Sequence, residues 1–134
     1  MDEVKVYVKV EVNPTESEEK VRRAVENLFS NIPLKLEKSG GGNFLTGEAE
    51  GLDVLSKIYN MLRRERIRDA ARAVFFSRLE GKTITFYLNK QAAFAGHISF
   101  SEPTGESPLG PICVRIKCEK PRKLIEWLAP KHSE

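Results

Sequence analysis

The stretch VKVYVKVEV, residues 4–12, alternates five valines with lysine, tyrosine or glutamate. A strict period of two places all the valines on one side of an extended strand and the other residues on the opposite side. We therefore predict a half-buried strand whose outward side carries Tyr7. Asn13 and Pro14 then end the strand, because this pair favours a turn.

Helical spacing recurs in three segments after this strand. Thr15 followed by Glu18 has the pattern of a capping box for a first helix. Residues 52–74 have helical spacing too, but the second half of the stripe is rotated by roughly a quarter turn at 100° per residue. This segment predicts two helices, or one helix bent near residues 63–66. A short helix is predicted over residues 122–128.

The remaining segments have the alternation or the turn residues of strands and loops. Residues 34–51 predict a loose hairpin joined by the glycines at 40–42. The stretch TITFYLNKQAAFAGHISF, residues 83–100, predicts a second hairpin with a tight polar corner. Residues 102–111 are predicted to be a loop by their Pro, Gly and Ser content, and residues 112–116 a last strand.

This order of elements, single helices between antiparallel hairpins, is typical of a two-layer α+β domain. We predict one domain over residues 1–134, with a mostly antiparallel sheet and helices on one face. The other face, with Thr85 and Tyr87 beside Tyr7, would be free for a partner.

Composition excludes several classes of protein. Hydrophobic residues make up 40% of the chain and charged residues 31%, which excludes a disordered chain. No run of about 18 apolar residues could span a membrane. The first residues lack the basic and apolar pattern of a signal peptide, so we expect a cytoplasmic protein without a membrane partner.

Metal, cofactor and catalytic sites are not predicted. Cys113 and Cys118 are expected to be reduced thiols, and with two histidines the chain lacks three or four ligands at metal-binding spacing. Residues 80–83, EGKT, end like a phosphate-binding loop, but Phe76 stands where that loop needs glycine. His97 has no nucleophile or carboxylate around it in a known catalytic arrangement. Distant residues can still meet in a fold, so an enzyme stays an open alternative.

The charge distribution indicates an anionic partner. Residues 63–90 carry eight Arg and Lys against three Asp and Glu, a local charge of +5, while the rest of the chain sums to −2. On a helix, Arg64, Arg68 and Arg72 recur every four residues along one face, and guanidinium groups give phosphates forked, permanently charged donors. The same row is also typical of a solvated helix face.

The predicted corner supplies residue types that single-stranded RNA recognition uses. Tyr87 could stack on an unpaired base, Asn89 and Gln91 could read base edges, and Lys82 and Lys90 could neutralise phosphates. A hairpin corner is also polar by default, so this stretch alone does not decide between a ligand site and a turn.

Three stretches, RIRDAARAVFF, ITFYLNKQAAFAGHISF and ESPLGPI, resemble the signature segments of an archaeal family, uncharacterised protein family 0201. The resemblance covers nearly the whole chain, from VEVNPTE to LIEWLAP. Members of the family are described as predicted RNA-binding proteins. The resemblance implies a fold similar to the ribosomal protein that binds 5S ribosomal RNA, and a link to archaeal RNA processing or the exosome. It implies no catalytic residues.

Two functions follow as predictions. The first is a non-catalytic RNA-binding protein of archaeal RNA processing, the exosome or translation. The alternative is a protein-interaction module whose open sheet face docks onto a larger RNA-processing or ribosomal assembly. A continuous basic groove would favour RNA, and an exposed apolar patch would favour a protein partner.

Overall fold

The computed structural model describes residues 3–103 and 110–131. The central part of the predicted loop at 102–111 and His132 therefore lie outside the described residues.

Within the described ranges, seven strands form one sheet in which all pairs are antiparallel. The strands are β1 (Val4–Val12), β2 (Leu34–Ser39), β3 (Gly42–Glu50), β4 (Leu79–Glu80), β5 (Thr83–Leu88), β6 (Phe100–Ser101) and β7 (Ile112–Cys118). Their order is β2–β3–β1–β7–β5–β4, and β6 pairs with β5 beside β4.

The helices cover one face of this sheet. They are α1 (Glu18–Leu28), α2 (Ser56–Arg64), α3 (Arg68–Ser77), α4 (Lys90–Phe94) and α5 (Pro121–Leu128), and a 3-10 turn at Leu52–Leu55 leads into α2. Their apolar residues join the buried residues of the strands in one core. The predicted α+β fold with an antiparallel sheet is confirmed.

β1 is central because it pairs along its length with β3 on one side and β7 on the other. All five of its valines are at most 8% exposed, whereas its other described residues are half-buried or exposed. Burying a valine side chain contributes about 1.5 kcal/mol or more, so this alternation fixes which face the helices cover. The period read from the sequence is confirmed.

The predicted capping box is wrong by two residues. Ser17, not Thr15, caps α1 by accepting a hydrogen bond from the backbone N–H of Lys20. The physical reason is a turn before the helix, in which the N–H of Glu16 donates to the carbonyl of Asn13. The Glu16 carboxylate in turn accepts from the Asn13 backbone N–H at 3.0 Å.

The predicted hairpin over 83–100 is partly wrong. Leu88 pairs with Phe100 and Tyr87 with Ser101, so two antiparallel strands are present. The connection between them is not a tight corner but contains α4, which packs against α1. The Asn27 side chain donates to the carbonyl of Ala93 at the end of this short helix.

Candidate nucleic-acid interface

The face of the sheet that points away from the helices is the surface that strand alternation leaves accessible. On β1, β5 and β7 its residues alternate with buried ones. Directly opposed residues of antiparallel strands share a face, so the members on β2 and β3 follow from the register. We call this surface the open face, and its residues are Lys5, Tyr7, Lys9 and Glu11; Cys113, Arg115 and Lys117; Thr83, Thr85 and Tyr87; Phe44, Thr46, Glu48 and Glu50; and Lys35 and Glu37.

The register brings two tyrosines of the open face close together. Tyr7 lies opposite Arg115 on β7, and Tyr87 lies opposite Cys113, two residues along that strand. Strand spacings of about 4.8 Å and a rise of about 3.4 Å per residue put the two tyrosine backbones roughly 12 Å apart. Both side chains are half-buried. The prediction that both tyrosines lie on the outward face is confirmed.

Positive charge on the open face is concentrated on the two central strands. On the open face of β1 and β7, four cationic residues are balanced by one acidic residue, Glu11. The cations are Lys5, Lys9, Arg115 and Lys117. Arg115 and Lys117 are exposed, and neither forms an ion pair with any residue in the described ranges. A ligand that binds these two cations therefore has no internal acidic partner to displace.

Two depressions flank Tyr7 and Arg115, which line both. The first, which we call the β3-side trough, has a volume of about 550 Å³ and also contacts Lys9, Thr46, Glu48 and Cys113. The second, which we call the β5-side depression, has a volume of about 740 Å³ and is lined on its far side by Arg78, Thr83, Thr85, Tyr87 and Lys117. The open face is thus concave on both sides of its central tyrosine and arginine.

Neighbouring cations contact the aromatic rings of the open face. The Lys9 ammonium lies 4.5 Å from the centre of the Phe44 ring, and the Arg78 guanidinium lies 5.6 Å from that of Tyr87. Arg78 also pairs with Glu102 at 2.9 Å. Aromatic rings beside cations are the combination with which proteins hold single-stranded nucleic acid.

The thiol at the centre of the open face is not an activated nucleophile. Burial raises the pKa of the Cys113 thiol, although Arg115 and Lys9 act in the opposite direction. Burial likewise raises the pKa of Cys118. Both thiols therefore stay protonated near neutral pH, where a thiolate would be needed for attack. Neither forms a disulfide, as predicted.

The predicted arginine row is wrong as a continuous row. α2 ends at Arg64 and α3 begins at Arg68, because Arg66 adopts a left-handed conformation with φ of 56° and breaks the helix between them. Two helices, one of the alternatives read from the sequence, are therefore correct. Arg64 is exposed, and its guanidinium donates to the carbonyl of Gly96 at 3.3 Å.

Arg72 is occupied by a partner within the fold. Its guanidinium makes two hydrogen bonds to the Glu126 carboxylate, at 2.8 and 2.6 Å, and a third to the carbonyl of Ala129. The Arg72 side chain is 18% exposed. The hydrogen bond from Arg72 holds the pKa of Glu126 below its ordinary value. Arg72 thus joins α3 to α5, and a phosphate would have to displace Glu126.

The three predicted corner residues, Asn89, Lys90 and Gln91, lie in three different environments. Asn89 caps α4 by accepting a hydrogen bond from the N–H of Ala92 at 2.8 Å. Lys90 is only 4% exposed, and its ammonium donates to the Glu11 carbonyl and to the Glu16 carboxylate, both at 2.9 Å. The prediction that Lys90 is a surface cation is therefore wrong, because α4 turns it into the structure. Gln91 is exposed on α4.

The other predicted cations lie outside the open face. Lys82 is exposed between β4 and β5 and pairs with Glu119 at 2.7 Å. Arg68 is half-buried at the start of α3 and forms no ion pair within the described ranges. Only Tyr87 of the predicted site residues belongs to the open face, and the structure does not bring the others to it.

Sequence reasoning missed most of the cations on the open face. Simple alternation along β1 and β7 places four cations on the outward side, and this pattern can be read from the sequence. They are Lys5 and Lys9 on β1, and Arg115 and Lys117 on β7. The pairing of β1 with β7 joins segments about one hundred residues apart in the chain, and no local pattern indicates it.

Neither a metal site nor a membrane-spanning helix is present among the described residues. No group of three or more His, Cys, Asp or Glu side chains within them could hold a metal ion. No helix among them is long and apolar enough to cross a membrane.

Comparison with known proteins finds a family model and relatives that match most of this chain. A family model described as RNA binding matches residues 5–118. A UPF0201 protein of Sulfurisphaera tokodaii is 50% identical over 127 residues, which cover 95% of this chain and 88% of that protein. A UPF0201 protein of Aeropyrum pernix is 41% identical over 128 residues, covering 95% of this chain and 85% of that protein.

A solved structure has the same architecture. The crystal structure of a UPF0201 protein from Methanococcus jannaschii matches with a TM-score of 0.84 at 32% identity, over 96% of this chain and 95% of that chain. The α+β fold with its seven-stranded sheet is therefore like that of a UPF0201 structure. The expected likeness to the ribosomal protein that binds 5S RNA stays a prediction.

Proposed function

Since the chain belongs to the UPF0201 family, we propose that it is a non-catalytic RNA-binding protein and that the open face is its RNA interface. The observation that carries this proposal is that Tyr7 and Tyr87 share one face with two exposed cations, Arg115 and Lys117, which form no ion pair within residues 3–103 and 110–131. A role in archaeal RNA processing, the exosome or translation belongs to the same proposal.

The proposed contacts follow from the chemistry of these side chains. A base that stacks on a tyrosine ring gains about 1 to 3 kcal/mol, whatever its identity. Arg115 can donate a forked pair of hydrogen bonds to a phosphate, and Lys9 and Lys117 can add point charges. Because Arg115 lies directly between Tyr7 and Thr85 in the register, one strand of RNA could contact a ring and a cation together.

A second function is favoured by the acidic residues on the strands beside the basic centre. The strands on either side of the central cations carry four glutamates, namely Glu48 and Glu50 on β3, Glu37 on β2 and Glu80 on β4. A face of mixed charge suits a partner protein with the complementary pattern. The second candidate is therefore a module that docks through the open face onto a protein of an RNA-processing or ribosomal assembly.

Salt-dependent binding of short RNA oligonucleotides of mixed sequence tests the first function. Fluorescence anisotropy of wild type should give a steep decrease of affinity with salt, because each phosphate contact on a single strand contributes about −0.7 to the logarithmic slope. The double variant Arg115→Gln with Lys117→Gln should make the slope shallower by about 1.4. At about 50 mM salt, the same relation implies roughly 100-fold weaker binding than wild type.

A matched control variant removes one arginine and one lysine from the helical layer instead of the open face. Arg122 and Lys123 are exposed on α5, in the helical layer, so Arg122→Gln with Lys123→Gln changes net charge equally. Its slope should remain that of wild type. Equal loss in both double variants, or no binding by folded wild type at low salt, would refute the open face as an RNA interface and favour the docking module.

A further inference from the structure

The β3-side trough runs across four strands between two rows of open-face side chains. One side is formed by consecutive register partners, Lys35, Thr46, Lys9 and Cys113. The other side is formed by Glu48, Tyr7 and Arg115. The trough therefore has a tyrosine ring and a carboxylate on one side, and a thiol, a hydroxyl and ammonium groups on the other.

Main chain forms the floor of the trough. Val8, Gly47 and Leu34 are register partners between the two rows, and the side chains of Val8 and Leu34 pack in the core on the covered side. Gly47 is required there, because a Cβ atom on it would lie 2.7 Å from Leu34 Cδ2 and 2.9 Å from the carbonyl oxygen of Pro33. The trough has a volume of about 550 Å³, which lies within the range of roughly 300 to 1,000 Å³ that is usual for small-ligand sites.

The β5-side depression offers different chemistry. Its lining includes the hydroxyl groups of Thr83 and Thr85 and the cationic side chains of Arg78 and Lys117. Hydroxyl and cationic donors suit phosphate oxygens, whereas a ring beside a main-chain floor suits a planar base. Arg115 lines both depressions and could hold the phosphate between them.

We infer that the β3-side trough holds one unpaired nucleobase with an exocyclic amino group, while the β5-side depression holds the adjoining phosphodiester. This inference rests on the proposed function and deepens it, because it specifies single-stranded RNA. A base inside a duplex is stacked on both sides and paired along its edge, so it could not enter the trough.

Glu48 is the residue that would select the base. Its carboxylate is exposed and forms no ion pair within the described ranges, although Lys9 and Lys35 also line the trough. An ionised carboxylate only accepts hydrogen bonds, so it can bind the amino group of cytosine and would repel the carbonyl oxygen that uracil has at the same position. Cytosine and uracil have rings of the same size but differ along this edge: cytosine has an amino group at C4 and an unprotonated N3, whereas uracil has a carbonyl oxygen at C4 and a hydrogen on N3. They are therefore probes of the same shape with different hydrogen-bonding edges.

The test compares oligocytidine, oligouridine and an oligonucleotide of the same length whose central nucleotides lack bases. Wild type should bind oligocytidine about tenfold more tightly than oligouridine, because one partner of the hydrogen bond is charged. Glu48→Gln should reduce this preference to less than about threefold, since an amide can donate to uracil as well as accept from cytosine. Thr46→Trp is a strand-compatible change that fills the trough. It should weaken the binding of both oligocytidine and oligouridine and leave the salt dependence of binding unchanged.

The outcomes separate this inference from the function on which it rests. Equal, salt-dependent binding of all three probes, or equal binding of a duplex, would overturn the base site and leave RNA binding by the open face intact. Failure of folded wild type to bind any probe at low salt would instead overturn the proposed function. If Thr46→Trp does not fold, the cytidine preference and its response to Glu48→Gln decide alone, because Glu48 is an exposed residue that forms no ion pair in the part of the chain that the structure describes.

Discussion

The helical layer and the open face both carry many cations, but they use them differently. Arg63 on α2 donates to the carbonyls of Trp127 and Leu128 and lies 3.4 Å from the centre of the Tyr59 ring. Arg72 on α3 is held by Glu126. On the open face, Arg115 and Lys117 have no such partner among the described residues. A high local density of arginines therefore does not identify the surface that is available to a ligand.

The contrast has a physical cause. An arginine between packed helices can satisfy carbonyls at helix ends and cover an aromatic ring at once, so it stabilises the junction of two elements. A cation in the middle of a sheet face lies closest to its cross-strand neighbours, and for Arg115 these are Tyr7 and Thr85, neither of which is acidic. Its charge is then left for solvent or for a ligand.

Replacement of Lys90 should give the largest effect on stability and sharpen this comparison. Lys90→Met leaves the Glu16 carboxylate, 11% exposed, without its cation, and breaking a buried pair in this way costs about 3 kcal/mol or more. Affinity for RNA should change little in protein that remains folded. Urea denaturation measures the free energy of unfolding, and Lys82→Met, which breaks the exposed pair with Glu119, should cost less than about 1 kcal/mol.

The same pair should be visible in the pH dependence of stability. Burial alone would raise the pKa of Glu16, but the Asn13 backbone N–H and Lys90 together hold that pKa below its ordinary value. A lowered pKa in the folded state means that the contribution is present above the unfolded value of about 4.3 and is lost as the pH falls through the folded value. Lys90→Met should flatten this acid loss. An unchanged profile and unchanged stability would show that Lys90 is not a structural cation.

Much of the fold could be predicted because it depends on local periodicity. The alternation of residues 4–12 indicates both the strand and its buried face, and the rotated stripe of residues 52–74 indicates two helices or one bent helix, of which the structure has two helices. The candidate site could be predicted less well, because it depends on which strands pair. Lys90 shows the limit clearly, since its partners Glu11 and Glu16 lie more than seventy residues away in the chain.

The tyrosines should give an intermediate effect, mainly on affinity for RNA. Tyr87→Ala should cost about 1 to 3 kcal/mol of RNA affinity if a base stacks on the ring, and Tyr7→Ala should cost a similar amount. Tyr87→Phe keeps the ring and should bind nearly as wild type does, which separates stacking from any role of the hydroxyl group. Anisotropy titrations at one salt concentration measure the RNA affinity of each variant.

Two results would count against stacking. Equal affinity of Tyr87→Ala and wild type would remove the ring from the interface. Equal losses in Tyr87→Ala and Tyr87→Phe would assign the effect to the hydroxyl group instead. The first result would leave Tyr7 and the cations of the central strands as the supported part of the interface, whereas the second would keep Tyr87 in the interface through its hydroxyl group.

The smallest expected effect tests the surface that the sequence alone favours. Arg64 and Arg68 are the two members of the predicted arginine row that Glu126 does not occupy, and they lie on the helices, whereas Tyr7 and Arg115 lie on the open face. Arg64→Gln with Arg68→Gln removes as much charge as Arg115→Gln with Lys117→Gln.

At about 150 mM salt, charges farther from the bound strand than roughly 8 Å are largely screened, so the helical double variant should lower affinity by no more than about twofold and leave the salt slope unchanged. A slope that becomes shallower by about 1.4 in this variant and stays constant in the Arg115 and Lys117 variant would reverse the comparison and move the interface to the turn between α2 and α3. Because the two variants carry the same net charge, a difference between them can only come from where the cations lie.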